Sequence, residues 1–82
     1  MSVTRQLKLG QLEQLRQKIK TLEAQAAADA LIIEIKTYSM KHNLAQLDID
    51  AILHAAKSLH TTVTALRLAN SDADSLNSEL YD

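Results

Sequence analysis

The chain has 82 residues, and its nine basic and ten acidic side chains give a net charge of −1 at pH 7. Because it contains no cysteine, disulfides and Cys-containing zinc sites are excluded as sources of stability. A chain this short forms at most one domain with a small core, and we therefore expect it to depend on a partner subunit.

The composition predicts an all-α fold. The chain has no proline, and Tyr38 and Tyr81 are its only aromatic residues, so it is poor in the residues that favour sheets. No stretch approaches the roughly 18 apolar residues of a membrane span, and the first residues lack the apolar core of a signal peptide. We expect a cytoplasmic protein without a membrane span.

The first predicted helix runs from about Thr4 to Lys41. An apolar stripe with 3-4-3-4 spacing consists of Leu12, Leu15, Ile19, Leu22 and Ala26. Continuing this register would place Asp29 and Lys36 in the stripe, so we expect a shift within residues 24–30. The second register would consist of Ala28, Leu31, Ile35 and Tyr38. The alanine-rich segment favours one helix or two nearly collinear helices.

The second predicted helix follows a break near residues 41–43. Asn43 with Gln46, or alternatively Asp48, supplies its N-cap. The helix carries the strongest heptad pattern in the chain, formed by Ala45, Ile49, Ile52, Ala56, Leu59, Val63 and Leu66. It is expected to end near Asn70. Since the connection is short, the two helices should form an antiparallel hairpin that belongs to an oligomeric bundle.

Residues 71–82 differ in composition from the hairpin. They contain four acidic side chains, no basic ones and several serines, which is typical of a disordered tail. The capping-like spacing of Ser71 and Asp74, together with Leu76 and Leu80, alternatively predicts a short helix that forms with a partner. We therefore predict a hairpin domain over residues 1–70 and an acidic tail over 71–82.

No residue pattern points to catalysis. His42, His54 and His60 lack the helical spacing of metal ligands, and no glycine-rich phosphate loop or nucleophile elbow is present. A helical hairpin also offers little concavity for a substrate. We expect no enzyme activity, no metal, no cofactor and no small-molecule substrate.

The apolar surface predicts protein binding. The segment Leu31–Ile35 is apolar nearly all round the helix, and Leu53 lies off the second stripe, so a two-helix hairpin would leave apolar surface uncovered. The residues predicted at a protein interface are Leu12, Leu15, Ile19, Leu22, Ile32, Ile33, Ile52, Leu53, Leu59, Val63 and Leu66. The partner is a helical protein or a second copy. Alternatively, a third helical piece formed by one of the chain ends would cover this apolar surface.

Basic residues near the beginning of the chain suggest a second class of partner. Arg16 and Lys20 could contact nucleic acid, although no aromatic residue lies among the basic ones to stack on bases. A solvated helix face explains the same charges. A further possibility is that this basic segment contacts the acidic tail of another subunit.

In size and plan, the two apolar stripes around the turn at His42 and Asn43 resemble the small helical-hairpin co-chaperones of type III secretion needle subunits. The resemblance covers about residues 10–70 and implies a cytoplasmic chaperone. Together with a second helical-repeat chaperone, it would keep a needle subunit monomeric before export. The longer, register-shifted first helix and the acidic tail depart from that family.

A different class of function remains open beside this one. A homodimeric four-helix bundle that binds RNA or a nucleic-acid-binding protein would resemble the plasmid copy-control hairpin proteins. The third alternative is a structural helix pair from a phage or plasmid that has no separable activity.

Overall fold

The computed structural model describes residues 2–81. Met1, the first residue of the predicted domain, and Asp82, the last residue of the predicted tail, lie outside it. Helix α1 spans Ser2–Tyr38 and helix α2 spans Ile49–Tyr81. A single 3-10 turn, Leu44–Gln46, lies in the connection between them. The two helices pack against each other along their length, and no strand occurs within residues 2–81. The predicted all-α helical hairpin is confirmed.

Helix α1 is continuous through residues 24–30, as the run of alanines favours. It ends where the backbone tightens after Tyr38. The amide of Met40 bonds to the Thr37 carbonyl at 3.3 Å, and the amide of Lys41 bonds to the Tyr38 carbonyl at 3.2 Å. These three-residue steps replace the helical four-residue pattern. The chain then reverses direction within ten residues.

Asp48 supplies the N-cap of α2. Its carboxylate accepts a hydrogen bond of 3.1 Å from the Ala51 amide, and its carbonyl accepts the bond of 3.0 Å from the Ile52 amide. Asn43 precedes the 3-10 turn and makes no side-chain capping bond. Of the two caps that the sequence allows, the structure therefore uses Asp48 for the long helix.

The face of α1 that packs on α2 follows one uninterrupted heptad pattern. Its buried or half-buried residues are Lys8, Leu12, Leu15, Ile19, Leu22, Ala26, Asp29, Ile33 and Lys36, and half-buried Met40 continues the pattern just past the end of the helix. We call this set the α1 seam. Leu12 is only 2% exposed. A spacing averaging 3.5 residues keeps the seam against a neighbouring helix when the pair coils gently.

The predicted change of register in α1 is wrong. Asp29 and Lys36 stay in the seam, whereas Leu31, Ile35 and Tyr38 point away from α2 and are 53%, 56% and 68% exposed. The polar seam positions are tolerated because each has a partner on the other side of the hairpin. Asp29 accepts a hydrogen bond from Ser58, and Lys36 Nζ lies 3.6 Å from a carboxylate oxygen of Asp48.

Helix α2 contacts α1 through a face that is rotated from the predicted stripe. Its buried residues are Ala55, Thr62, Ala69 and Leu80. Of the predicted stripe, Ile52, Leu59, Val63 and Leu66 are half-buried, while Ile49 and Ala56 are exposed. Small side chains at Ala55, Thr62 and Ala69 therefore face α1 over most of the contact, and Leu80 does so at its end. Much of the predicted stripe lies on the side of the hairpin.

The prediction that the second helix ends near Asn70 is also wrong. Residues 71–81 continue α2 and form neither a tail nor a separate helix. Leu80 is buried against α1, and Lys8 Nζ lies 3.3 Å from a carboxylate oxygen of Glu79. Arg5 donates a hydrogen bond of 3.3 Å to the Leu80 carbonyl, and its guanidinium lies 5.6 Å from the centre of the Tyr81 ring. The basic start of α1 thus contacts the last turn of α2 and supplies a countercharge for Glu79.

The resulting hairpin is a rod of 63 × 17 × 14 Å. Within the described range, the chain ends belong to the two long helices, so they form no third helical piece that could cover the remaining apolar surface.

Candidate protein-interaction surfaces

The outer face of α1 carries an exposed apolar patch in its second half. We call it the outer stripe, and its residues are Ala28, Leu31, Ile35 and Tyr38. A shallow groove of about 300 Å³ follows it, lined by Leu31, Glu34, Ile35, Tyr38 and Ser39. The ammonium of Lys41 lies 4.4 Å from the centre of the Tyr38 ring, so the end of the groove carries a positive charge.

In this part of α1 the usual amphipathic arrangement is only partly kept, because polar side chains alternate with Ile33 on the side that packs on α2. The side that packs on α2 contains a carboxylate at Asp29 and an ammonium at Lys36, whereas Leu31 and Ile35 face solvent. In a self-sufficient helix pair, apolar residues gain free energy by facing the neighbouring helix. The segment therefore carries apolar side chains on two sides, and α2 covers only one of them.

A second apolar surface lies on one side of α2. We call it the α2 flank, and its residues are Ile49, Ile52, Ala56, Leu59, Val63 and Leu66. A groove of about 310 Å³ runs beside its centre, lined by Ala56, Leu59, His60, Val63, Thr64 and Arg67. The flank is the larger part of the predicted heptad stripe, and it lies one step round the helix from Ala55 and Thr62.

The predicted interface residues divide into three groups in the structure. Leu12, Leu15, Ile19, Leu22 and Ile33 belong to the α1 seam. Ile52, Leu59, Val63 and Leu66 belong to the α2 flank. Ile32 and Leu53 are exposed, whereas Ile33, which was expected to be left uncovered with them, is half-buried against α2. The first group packs inside the hairpin and Leu12 is almost wholly buried, so a partner would reach mainly the other two groups.

Sequence reasoning missed the outer position of Leu31, Ile35 and Tyr38. It placed them toward the second helix because they are more apolar than Asp29 and Lys36. The true register could have been recognised from the length over which a single 3-4 spacing continues. The 3-4 spacing that starts at Leu12 continues without a break to Lys36 once polar residues are allowed at two positions.

Arg16 and Lys20, the predicted nucleic-acid contacts, are exposed on α1. Glu13 precedes Arg16 by three residues and Glu23 follows Lys20 by three, so acidic side chains lie on the same part of the helix surface. The more N-terminal Lys8 contacts Glu79 of its own chain. Part of the basic segment is thus paired within the hairpin, and acidic residues accompany Arg16 and Lys20 in sequence.

A further groove lies between the helices near their open end and has a volume of about 540 Å³. Its lining residues are Gln11, Gln14, Leu15, Lys18, Asp72, Ser75 and Leu76. Most of these are exposed polar side chains on helix surfaces. Over residues 3–81 no group of three histidine or acidic side chains is arranged to hold a metal ion.

Neither of the two long helices, over the range that the structure covers, combines the length and apolar character needed to cross a bilayer. Comparisons with protein-family models, with curated proteins and with solved structures found no match to the chain.

Proposed function

We propose that this protein is a non-catalytic helical adaptor that binds an amphipathic helix of another protein along the outer stripe. The observation that supports this is the exposed apolar side of α1 between Ala28 and Tyr38, opposite a seam in which two of three positions are polar. Large apolar side chains face solvent there, although Asp29 and Lys36 face α2. Burying such side chains contributes roughly 25 cal/mol per Å² of apolar area.

The groove favours a helical partner of a defined kind. It runs along a helix, and side chains three and four residues apart line it, which is the spacing that a second helix fills with its own apolar residues. Lys41 at one end favours an acidic side chain on the partner. Glu34 lines the groove nearer its middle and favours a basic side chain.

The resemblance to needle-subunit co-chaperones supplies one form of this proposal. In that form the partner is an aggregation-prone helical subunit or the second chaperone that holds it. The mechanism is the same, because the outer stripe would cover apolar residues of the bound helix until it is released. Binding of RNA through Arg16 and Lys20 stays a prediction with less support, since Glu13 and Glu23 accompany them.

A site-specific photocrosslinker at Ser39, an exposed residue on the rim of the groove, tests the proposal. The protein is crosslinked in its native host, and the captured protein is then purified and titrated against the unlabelled chain. Ile35→Glu should weaken this binding at least tenfold, which corresponds to about 1.4 kcal/mol. Gln14→Glu, an exposed change elsewhere on α1 with Lys18 four residues on, is the matched control and should leave it unchanged.

Two results would contradict the adaptor function. One is a captured protein whose affinity is the same for the wild type and for Ile35→Glu. The other is crosslinking at Ser39 that yields only a second copy of the chain, which would show that the outer stripe is a self-association surface.

A further inference from the structure

We propose that the α2 flank binds the same flank of a second copy, so that the two α2 helices run antiparallel across a two-fold axis. This surface is separate from the outer stripe, and the inference does not depend on the adaptor partner. The flank is a continuous apolar strip from Ile49 to Leu66, and its stripe positions carry no charged side chain.

The flank is self-complementary in this orientation. We place the two-fold axis level with the midpoint between Lys57 and Ser58. Residues at equal distances before and after this midpoint then face each other across the axis. Ile49 then faces Leu66 of the second copy, Ile52 faces Val63, and Ala56 faces Leu59. All six flank residues therefore meet apolar residues, and the small Ala56 accommodates the larger Leu59.

Charge at the two ends of the flank selects the antiparallel orientation. Asp48 and Asp50 lie at the start of α2, and Arg67 lies just beyond Leu66 at the other end. An antiparallel pair brings Arg67 level with the acidic start of the second α2. A parallel pair would bring the acidic ends together and the two arginines together, which like-charge repulsion disfavours.

The size of the contact sets its expected strength. Eighteen residues of helix from Ile49 to Leu66 are about 27 Å long, and a helix is about 10 Å wide, which gives a footprint on the order of 300 Å² per chain. A stable interface covers about 800 Å² per partner. We therefore expect a reversible dimer that dissociates on dilution, with each hairpin folded before it associates.

Engineered cysteines test the orientation, because the chain has none of its own. Ile49→Cys and Leu66→Cys chains are purified separately, mixed and oxidised. Antiparallel packing predicts disulfides between the two different variants and few within either variant alone. Thr61→Cys, at an exposed position away from the flank, measures random collisions. Self-linked dimers of each variant, or mixed dimers no more abundant than in the Thr61→Cys control, would overturn the proposal.

Light scattering tests the association itself. The wild type should approach twice its chain mass of 9.1 kDa at high concentration and return to the chain mass after a hundredfold dilution. Ala56→Asp should stay at the chain mass throughout. Its fold should be preserved, as circular dichroism would show, because Ala56 is exposed in the single hairpin.

Ala24→Asp places the same carboxylate on the exposed outer side of α1 and should associate like the wild type. A wild type that stays at 9.1 kDa at the highest concentration, or an Ala56→Asp variant that still dimerises, would overturn the proposal. Either outcome leaves the adaptor function intact, since that function is tested at the outer stripe.

Discussion

The Ser58 hydroxyl donates a hydrogen bond of 2.7 Å to the Asp29 carboxylate across the two helices of the hairpin. Ser58 and Asp29 are both half-buried, so this bond joins α1 to α2 at a point where apolar packing is interrupted. It fixes which residues of the two helices lie level with each other, because a polar group inside a seam has few alternative partners.

A double-mutant cycle on this pair should show coupling of about 1 kcal/mol. Asp29→Ala and Ser58→Ala should each destabilise the hairpin, and together they should cost less than the sum. Urea denaturation at one fixed protein concentration measures the four free energies of unfolding. Strictly additive costs would mean that the bond contributes nothing to stability.

Leu12 should be among the most sensitive positions of the chain. It is 2% exposed, so Leu12→Ala removes buried methyl groups and leaves a cavity, at a cost of about 3 kcal/mol. Leu7→Ala, an exposed leucine in the same helix, is the control and should change stability by less than about 0.5 kcal/mol. Equal costs for the two variants would contradict the seam described for α1.

Removal of residues 71–82 should destabilise the remaining hairpin. It deletes the buried Leu80 and the Lys8–Glu79 ion pair, and it exposes the part of α1 that they cover. Circular dichroism should show a lower melting temperature, mainly because apolar burial is lost, since exposed ion pairs contribute little. A point variant separates these causes. Lys8→Gln should have a much smaller effect than the deletion.

Asp48→Ala should destabilise α2 by about 1 kcal/mol, because the Ala51 amide loses its capping carboxylate. The same change also removes the exposed contact with Lys36, which adds little. Asp48→Asn keeps a capping oxygen and should recover most of the loss. If the asparagine variant is as unstable as the alanine variant, the ion pair with Lys36 matters more than the cap.

The hairpin itself could be predicted from the sequence because its causes are local. Helix propensity, the absence of proline and the two long apolar patterns fix the helices, and the break near Asn43 fixes the turn. The Asp48 cap was among the predicted alternatives for the same reason. The α2 flank was predicted as a stripe, although not as a surface that lies mainly to one side of the helix contact.

The register of α1 and the length of α2 could not be predicted, because both depend on contacts between distant residues. Asp29 is acceptable in the seam only when Ser58 lies opposite, and a single helix does not contain that information. Residues 71–81 have the composition of a tail, but Arg5 bonds to the Leu80 carbonyl and Lys8 pairs with Glu79 from the other helix. The composition of residues 71–81 does not predict their structure, because Lys8, the countercharge of Glu79, lies more than seventy residues away in the chain.

The length of the hairpin determines how the protein moves in solution. Its radius of gyration is 18.4 Å, whereas a globular chain of 82 residues would have about 12 Å. A rod of this kind diffuses more slowly than a sphere of equal mass and tumbles at different rates about its long and short axes. A single chain will therefore elute from a sizing column like a larger globular protein, and its apparent size there reports shape as much as the number of subunits.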